Sequence, residues 1–362
     1  MADLLKEVYN QTYLNHIATI VYGTYPAFNK TDFIAAVFSD DWTNKELKAR
    51  TIHIATQLNS FIDLDYLQTL SVIREIAQHF TGYEGMFIPA FVEKFGLDEF
   101  TPSIDALSYI TQFASAEFAV RPFIEQYPEQ MHKVLLAWSV NDNHHIRRLA
   151  SEGSRPRLPW AMALPNFKKD PSYLLPILDA LKNDHSEYVR RSVANNLNDI
   201  AKDHPKVVIE LAQKWLAESE IIETKRLVKH ACRSLLKQAH PGALSLFGFL
   251  PPANIKVMDF KADKFVEFGG LFSFSCNLVH EKSLPLDKLR IEFAIDFMKK
   301  NGQQARKIFQ LSEAVIKNDN KLINKSFSFK KISTRQYYAG KHSVAILING
   351  VQLFDADFIL KN

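Results

Sequence analysis

The stretch WSVNDNHHIRRLASEGSRP (138–156) is repeated, with changes, by LKNDHSEYVRRSVANNLNDIAKDHP (181–205). Paired arginines, Arg147–Arg148 and Arg190–Arg191, stand 43 residues apart in the two segments. A third unit, ETKRLVKHACRSLLKQAHP (223–241), repeats the closing His-Pro 36 residues after His204–Pro205. Periods near 40 residues with helical spacing predict stacked helix pairs of the HEAT type. Such an array buries one face of each unit against its neighbours and leaves a concave face for a long partner.

Working outward, the helical period extends over residues 1–248, as in DYLQTLSVIREIAQHF (65–80) and PSYLLPILDALKND (171–184). Apolar residues recur there at three- and four-residue intervals, and Asn/Asp/Pro/Gly clusters break the pattern. FLPPANIKVMDF (249–260) opens a segment expected to be a linker, 249–261, because two prolines end the helical pattern. Beyond it the period becomes two: FGGLFSFSCNLV, LRIEFAIDFMK and KHSVAILINGVQLFDADFIL alternate apolar and polar residues. About seven short strands in such a length predict an antiparallel, immunoglobulin-like β-sandwich, here over 262–362. Asn349–Gly350 marks a hairpin within it. The expected fold is therefore mostly α with a β tail, a HEAT-like α-solenoid followed by the sandwich.

Composition narrows the function. Of 362 residues, 47% are hydrophobic and 23% charged, as in ordinary globular proteins. Two distant cysteines, Cys232 and Cys276, argue for a reducing compartment and against a disulfide framework or a cysteine-built zinc site. No apolar run reaches a membrane span, and the N-terminus lacks a basic start followed by an apolar stretch. A cytoplasmic location without membrane association is expected. The net charge of +4 divides unevenly: from Phe260 onward 17 Lys and Arg face 10 Asp and Glu, leaving −3 for the rest. A basic tail suits a polyanion partner, or simply a soluble surface. Phosphate-binding glycine loops and the common zinc-hydrolase, serine-hydrolase and deaminase signatures are missing.

One stretch concentrates chemistry. HHIRRLASEGSRPRLPWA (144–161) holds Arg147, Arg148, Arg155 and Arg157 with Glu152 as its one acid. Arginine forks match phosphate oxygens; a solvated repeat face with internal Arg–Glu pairs is the alternative. Trp160 follows between prolines, either an indole for a base or sugar or a packing residue. Glu117, in SYITQFASAEFAVRPFI, falls beside the apolar side of its expected helix, where a carboxylate needs a partner or a purpose. Arg121, one turn on, could be that partner. Asp199 belongs to a polar stripe with Arg191, Asn195 and Lys202, functional or merely solvated.

These residues carry a resemblance. SAEFAVRPFI around Glu117, NHHIRRLASEGSRPRLPWA through Trp160 and EYVRRSVANNLNDIAKDHP around Asp199 resemble the AlkC-type DNA alkylation repair glycosylases. The resemblance covers residues 1–250, and some members carry an immunoglobulin-like C-terminal domain. It implies hydrolysis of the N-glycosidic bond of cationic bases, the 3-methyladenine and 3-methylcytosine class, in duplex DNA and without base flipping. It implies Glu117, Trp160 and Asp199 as the active-site trio, and no metal or other cofactor. Arg121, Arg147, Arg148, Arg155, Arg157, Arg190 and Arg191 are expected to clamp the DNA backbone. From the charge division, Lys299 and Lys300 beside the Asn301–Gly302 turn are expected to add contacts, with Arg306, Lys307, Lys330 and Lys331 as further candidates. A monomer acting on alkylated double-stranded DNA is expected; the rival reading is a non-catalytic scaffold that binds DNA or protein.

Overall fold

The structure, a computed structural model, describes residues 5–39, 41–332 and 335–361. Among them sixteen α-helices run from Gln11 to Leu246 and eight strands from Ile255 to Lys361. No helix of the described residues is long and apolar enough to cross a membrane.

Helix starts follow local chemistry. Asn10, Asn29, Asp65 and Asn143 each cap a helix, their side-chain oxygens accepting a backbone N–H of the first turn. Pro128, Pro165, Pro205 and Pro241 each stand as the first helical residue, where a missing N–H costs nothing. The repeated His-Pro pairs therefore open helices and do not close them.

The 43-residue spacing has a physical counterpart. Arg147, in helix His144–Gly153, donates through Nη1 to Asn141 O and Asp142 O, both at 2.8 Å. Arg190, in helix Glu187–Ile200, donates to Asp184 O at 2.7 Å, again six residues upstream. Each first arginine of a pair thus pins the turn that precedes its own helix. Arg147 also holds Asp184 in a fork, Nε–Oδ2 2.6 Å and Nη2–Oδ1 3.0 Å. Asp184 Oδ1 in turn accepts from Ser186 N at 2.8 Å, so one carboxylate joins two successive units.

The strands are β1 Ile255–Ala262, β2 Phe265–Glu267, β3 Leu271–His280, β4 Asp287–Met298, β5 Gln304–Ile316, β6 Asn320–Ser328, β7 Gly340–Ile348 and β8 Val351–Lys361. They form two sheets, ordered β1-β3-β6 and β2-β8-β7-β4-β5. Facing side chains of both sheets share one core, with Phe272 stacked on Phe358 at 3.9 Å and Phe274 beside Phe293 at 5.4 Å. Asn349 and Gly350 both take positive φ, 47° and 79°, and turn β7 into β8 as the sequence predicts.

Three expectations change. The strands number eight, not seven, and not all pair antiparallel: the short edge strand β2 lies parallel to β8. The expected linker 249–261 is mostly β1, which pairs with β3 from Ile255 on; the helix has already ended at Leu246, closed by Gly248 at φ 72°, and beyond the two prolines the N–H groups are free to join a sheet. The boundary near 248 also moves. Contacts divide the chain into one unit through residue 208 with 214–231, and another of 209–213 with everything from 232 on. The last helices, Arg233–Lys237 and Pro241–Leu246, therefore belong with the strands. Gly350 explains why: a Cβ there would stand 2.4 Å from Ala239 Cβ, an approach only glycine permits.

Candidate active site

Helix His144–Gly153 and helix Glu187–Ile200 pack side by side in the first unit, and their residues build the site. The first helix buries its apolar stripe, Ile146, Leu149 and Ala150, and this turns Arg148 and Glu152 toward one common side, which Arg155, just past the helix end, also reaches. There they line a cleft of about 500 Å³ with Ser115, Glu117, His145, Trp160 and Tyr188.

Glu117 does not lie in a helix. It occupies a turn ahead of helix Arg121–Gln126, because the helix that opens at Phe100 ends at Ile110 and the chain must reverse. Its Oε2 accepts from Arg148 Nη1 at 2.7 Å, and the same nitrogen donates to Ser115 Oγ. From Arg148 an alternating series of charges continues. Arg148 Nη2 lies 3.6 Å from Glu152 Oε1, which accepts from Arg155 Nη1 at 2.7 Å. Arg155 Nε and Nη2 both meet Asp199 Oδ2 at 2.8 Å, and Asp199 Oδ1 accepts from Lys202 Nζ at 3.0 Å. Burial works against the charge on Arg148, but Glu117 and Glu152 outweigh it and raise its pKa. Tyr188 closes one side, its ring 4.9 Å from the Arg148 guanidinium.

Trp160 stands apart. Three of the four tryptophans are buried at 8% exposure or less, whereas Trp160 is 75% exposed. Its φ of 64° is left-handed, a conformation that costs about 1–3 kcal/mol outside glycine and persists only where the surroundings fix it.

The expected site residues thus separate. Glu117 and Trp160 line one cleft. Asp199, with 2% of its side chain exposed, lies outside that lining and connects to it through Arg155 and Glu152. Of the expected backbone clamp, Arg148 and Arg155 line the cleft already paired with carboxylates. Arg157 is half-buried against Asp203, at 2.6 Å. Arg147 is 6% exposed and held by Asp184, and Arg121 is fully buried. Neither can offer a guanidinium to phosphate in this conformation: the Arg147 fork is occupied within the fold, and Arg121 is sealed from solvent, its Nε and Nη1 bonded and its Nη2 buried without a partner among the described residues. Arg121 also does not pair with Glu117: its Nη1 donates to Gly153 O and Arg155 O, and its Nε to Met162 O. Arg191 is exposed, and with Arg190 it lines a second hollow of about 400 Å³ beside Glu187, Glu223 and Arg226. Lys299 and Lys300 are exposed between β4 and β5.

Sequence reading passed over Tyr188 and undervalued Glu152. A signal existed for Tyr188: the 43-residue register puts it opposite His145, and the two rings meet at 5.9 Å on the cleft wall. For Glu152 nothing in the sequence distinguishes an acid bridging two arginines of the cleft from a solvated pair. Among the described residues no three His, Cys, Asp or Glu side chains group as metal ligands.

Residues 99–235 match the family model described as "DNA alkylation repair enzyme". Residues 256–362 match the model "Uncharacterised protein YhaZ, C-terminal Ig-like domain". The Bacillus subtilis protein YhaZ is 41% identical over 360 residues, covering 99% of either chain. The Pseudomonas fluorescens alkylpurine DNA glycosylase AlkC, solved bound to DNA containing an abasic site analog, is 37% identical with a TM-score of 0.94, covering 99% of this chain and all of that one. With likeness of this extent, running through helices and strands alike, the chain belongs to the AlkC-type DNA alkylation repair family with a C-terminal Ig-like domain.

Proposed function

We propose that this protein is an alkylpurine-type DNA glycosylase acting on duplex DNA, hydrolysing the N-glycosidic bond of cationic bases of the 3-methyladenine and 3-methylcytosine class to begin base excision repair. The observation that carries the reading is the pairing of a carboxylate, Glu117, with an exposed indole, Trp160, on one cleft. Family membership and the DNA-bound AlkC relative support it.

A base alkylated at a ring nitrogen is already positive, so it leaves without a general acid. As the bond lengthens, its electron pair moves to the base, which departs neutral, and positive charge develops on the sugar. Glu117 stabilises that oxocarbenium-like sugar and takes a proton from the water that attacks C1′. Arg148 and Ser115 hold the carboxylate in place. Asp199 serves as the second carboxylate, holding Arg155 and through it Glu152. Trp160 meets the deoxyribose from the loop. The cleft receives the sugar while the base stays in the duplex, so base flipping is not part of the mechanism. The helices form a HEAT-like array, and the Ig-like domain, a β-sandwich, contributes Lys299 and Lys300 to phosphates.

Single-turnover release of base from duplexes carrying 3-methyladenine, 3-methylcytosine or 1-methyladenine tests this, with Glu117→Gln beside the wild type. The wild type is expected to release at least one of the three and the variant to be slow on each. A wild-type protein that binds these duplexes and releases no base is a scaffold.

A further inference from the structure

We propose that Arg121 is a positioning residue: its buried guanidinium staples together the two stems of the loop that carries Trp160, and so sets where the indole meets the sugar. This rests on the role given to Trp160 above.

Three observations carry it. First, the partners of Arg121 are backbone carbonyls on both sides of the loop tip. Nη1 donates to Gly153 O at 2.9 Å and Arg155 O at 2.8 Å on the entering stem, and Nε donates to Met162 O at 2.7 Å on the leaving stem. Gly153 is the last residue of its helix, and its carbonyl is one of those a helix end leaves without an internal partner. The loop's own closing bonds, Ala161 N to Leu158 O at 3.3 Å and Leu164 N to Pro156 O at 3.2 Å, are long. Second, Arg121 is 0% exposed, so a full positive charge is kept inside for these contacts. Burial, with Arg155 nearby, pulls its pKa down to about 10, which still leaves it charged at neutral pH. A planar fork reaches three carbonyls at once; a lysine ammonium is a point donor and cannot. Third, the preceding residue is locked to the same stem. A Cβ on Gly153 would lie 2.5 Å from Val120 Cγ1, so glycine there lets the chain before Arg121 approach the stem. Between these fixed stems Trp160 keeps its left-handed φ of 64° and its 75% exposure.

The experiment follows Trp160 directly. Because the other three tryptophans are 8% exposed or less, acrylamide quenches Trp160 first, and Trp160→Phe identifies that component. Arg121→Met keeps the length of the side chain and removes its donors. With folding verified by circular dichroism, it is expected to change the quenching of the Trp160 component. It is also expected to slow single-turnover base release about tenfold to a hundredfold, the usual cost of misplacing a group by about 1 Å. The duplex Kd should barely move, and Arg121→Lys should recover part of the rate. Should Arg121→Met not fold, Arg121→Lys, which keeps the buried charge, carries the same comparison at smaller amplitude. A folded variant with wild-type quenching and wild-type rate overturns the proposal, as does altered quenching with an unaltered rate where Trp160→Phe is slow. If Trp160→Phe itself releases base at the wild-type rate, the role given to Trp160 fails. The staple is then decided by the quenching of Arg121→Met alone.

Discussion

The interiors of both regions are apolar and rich in rings, but the helical one also carries a long buried series of charges. Below the strands lie rings: Phe272 on Phe358 at 3.9 Å, Phe293 on Phe309 at 4.9 Å, with Phe297, Phe329 and Tyr337 around them. Between the helices lies an alternating series of charges, Glu117, Arg148, Glu152, Arg155 and Asp199, none with more than 16% of its side chain exposed. Burying ions is unfavourable by several kcal/mol each before pairing, and apolar replacements of similar volume are often as stable or better. Rings suffice where stability is the only demand. The ionic series ends in a carboxylate, Glu117, held at an open cleft. Among the described residues the β region has a buried ion cluster of its own, Arg290 with Glu292 and Glu313, on β4 and β5.

The comparison breaks first where ions are structural. Arg147→Met should destabilise the helical region by about 3–5 kcal/mol, since it leaves the Asp184 carboxylate, 4% exposed, without its fork. The urea midpoint measures this, and hydrogen exchange of the strand peptides should be unaffected. Arg147→Met combined with Asp184→Leu should recover much of the loss. A single variant as stable as the wild type would mean that the pair behaves as a surface ion pair despite its burial.

Glu117→Gln sharpens the same contrast from the other side. It should slow base release by about 3–4 kcal/mol, a factor of roughly 10² to 10³, while leaving the melting curve nearly unchanged. Arg148 keeps Glu152 as a partner, which is why stability should survive. Loss of folding in proportion to loss of rate would make Glu117 part of the scaffold. Asp199→Asn should slow release and also lower stability, because its carboxylate is 2% exposed and holds both Arg155 and Lys202.

Much of this division was legible in the sequence. The change of period from 3.6 to two near residue 250 separates the regions, and the Asn349–Gly350 turn falls where expected. Glu117, Trp160 and Asp199 were singled out through motifs, but the sequence did not show that Glu117 and Trp160 share a cleft whose lining leaves Asp199 out. Arginine carries the same charge whether it faces phosphate or three carbonyls, so Arg121 and Arg147 read as DNA contacts until burial is known. Glu117 read as helical because its spacing from Ile110 and Phe113 fits a helix, whereas the chain reverses there in a turn. Local spacing does not encode a reversal that tertiary packing imposes. The contact division differs from the boundary expected at 248 for a similar reason: helix Pro241–Leu246 is helical in sequence, but its packing against the β7–β8 turn groups it with the strands.

Exposed charge on the β region gives the next largest expectation. Lys299→Ala with Lys300→Ala should weaken duplex binding by about 2 kcal/mol near physiological salt, at roughly one released counterion for each phosphate contact. The slope of log K against log salt should flatten by about two, equally for damaged and undamaged DNA. An unchanged slope would leave these lysines as protection and solubility for a sheet edge.

The smallest effect comes from a histidine inside the ring core. His342 is 0% exposed, with its ring 5.4 Å from Phe358, 5.6 Å from Phe329 and 6.1 Å from Phe297. Nδ1 accepts from Met298 N at 3.3 Å, while Nε2 donates to Tyr338 O at 3.0 Å. This is the pattern of a neutral imidazole; a proton on Nδ1 would abolish the first bond. Burial pushes its pKa below the usual 6.5, against a smaller opposing pull from the Tyr338 carbonyl. The unfolded chain therefore takes up this proton first as pH falls. Stability contributed by the group is complete above pH 6.5 and declines below it, by no more than about 1.4 kcal/mol for each pH unit. The decline stops once the folded imidazole is protonated as well. Hydrogen-exchange protection of peptides from β7, corrected for the intrinsic rate at each pH, should fall between pH 7.5 and 5.5. In His342→Phe, which keeps a ring in the stack, it should hold steady. An equal fall in both proteins would place the acid sensitivity elsewhere and leave the ring core indifferent to its histidine.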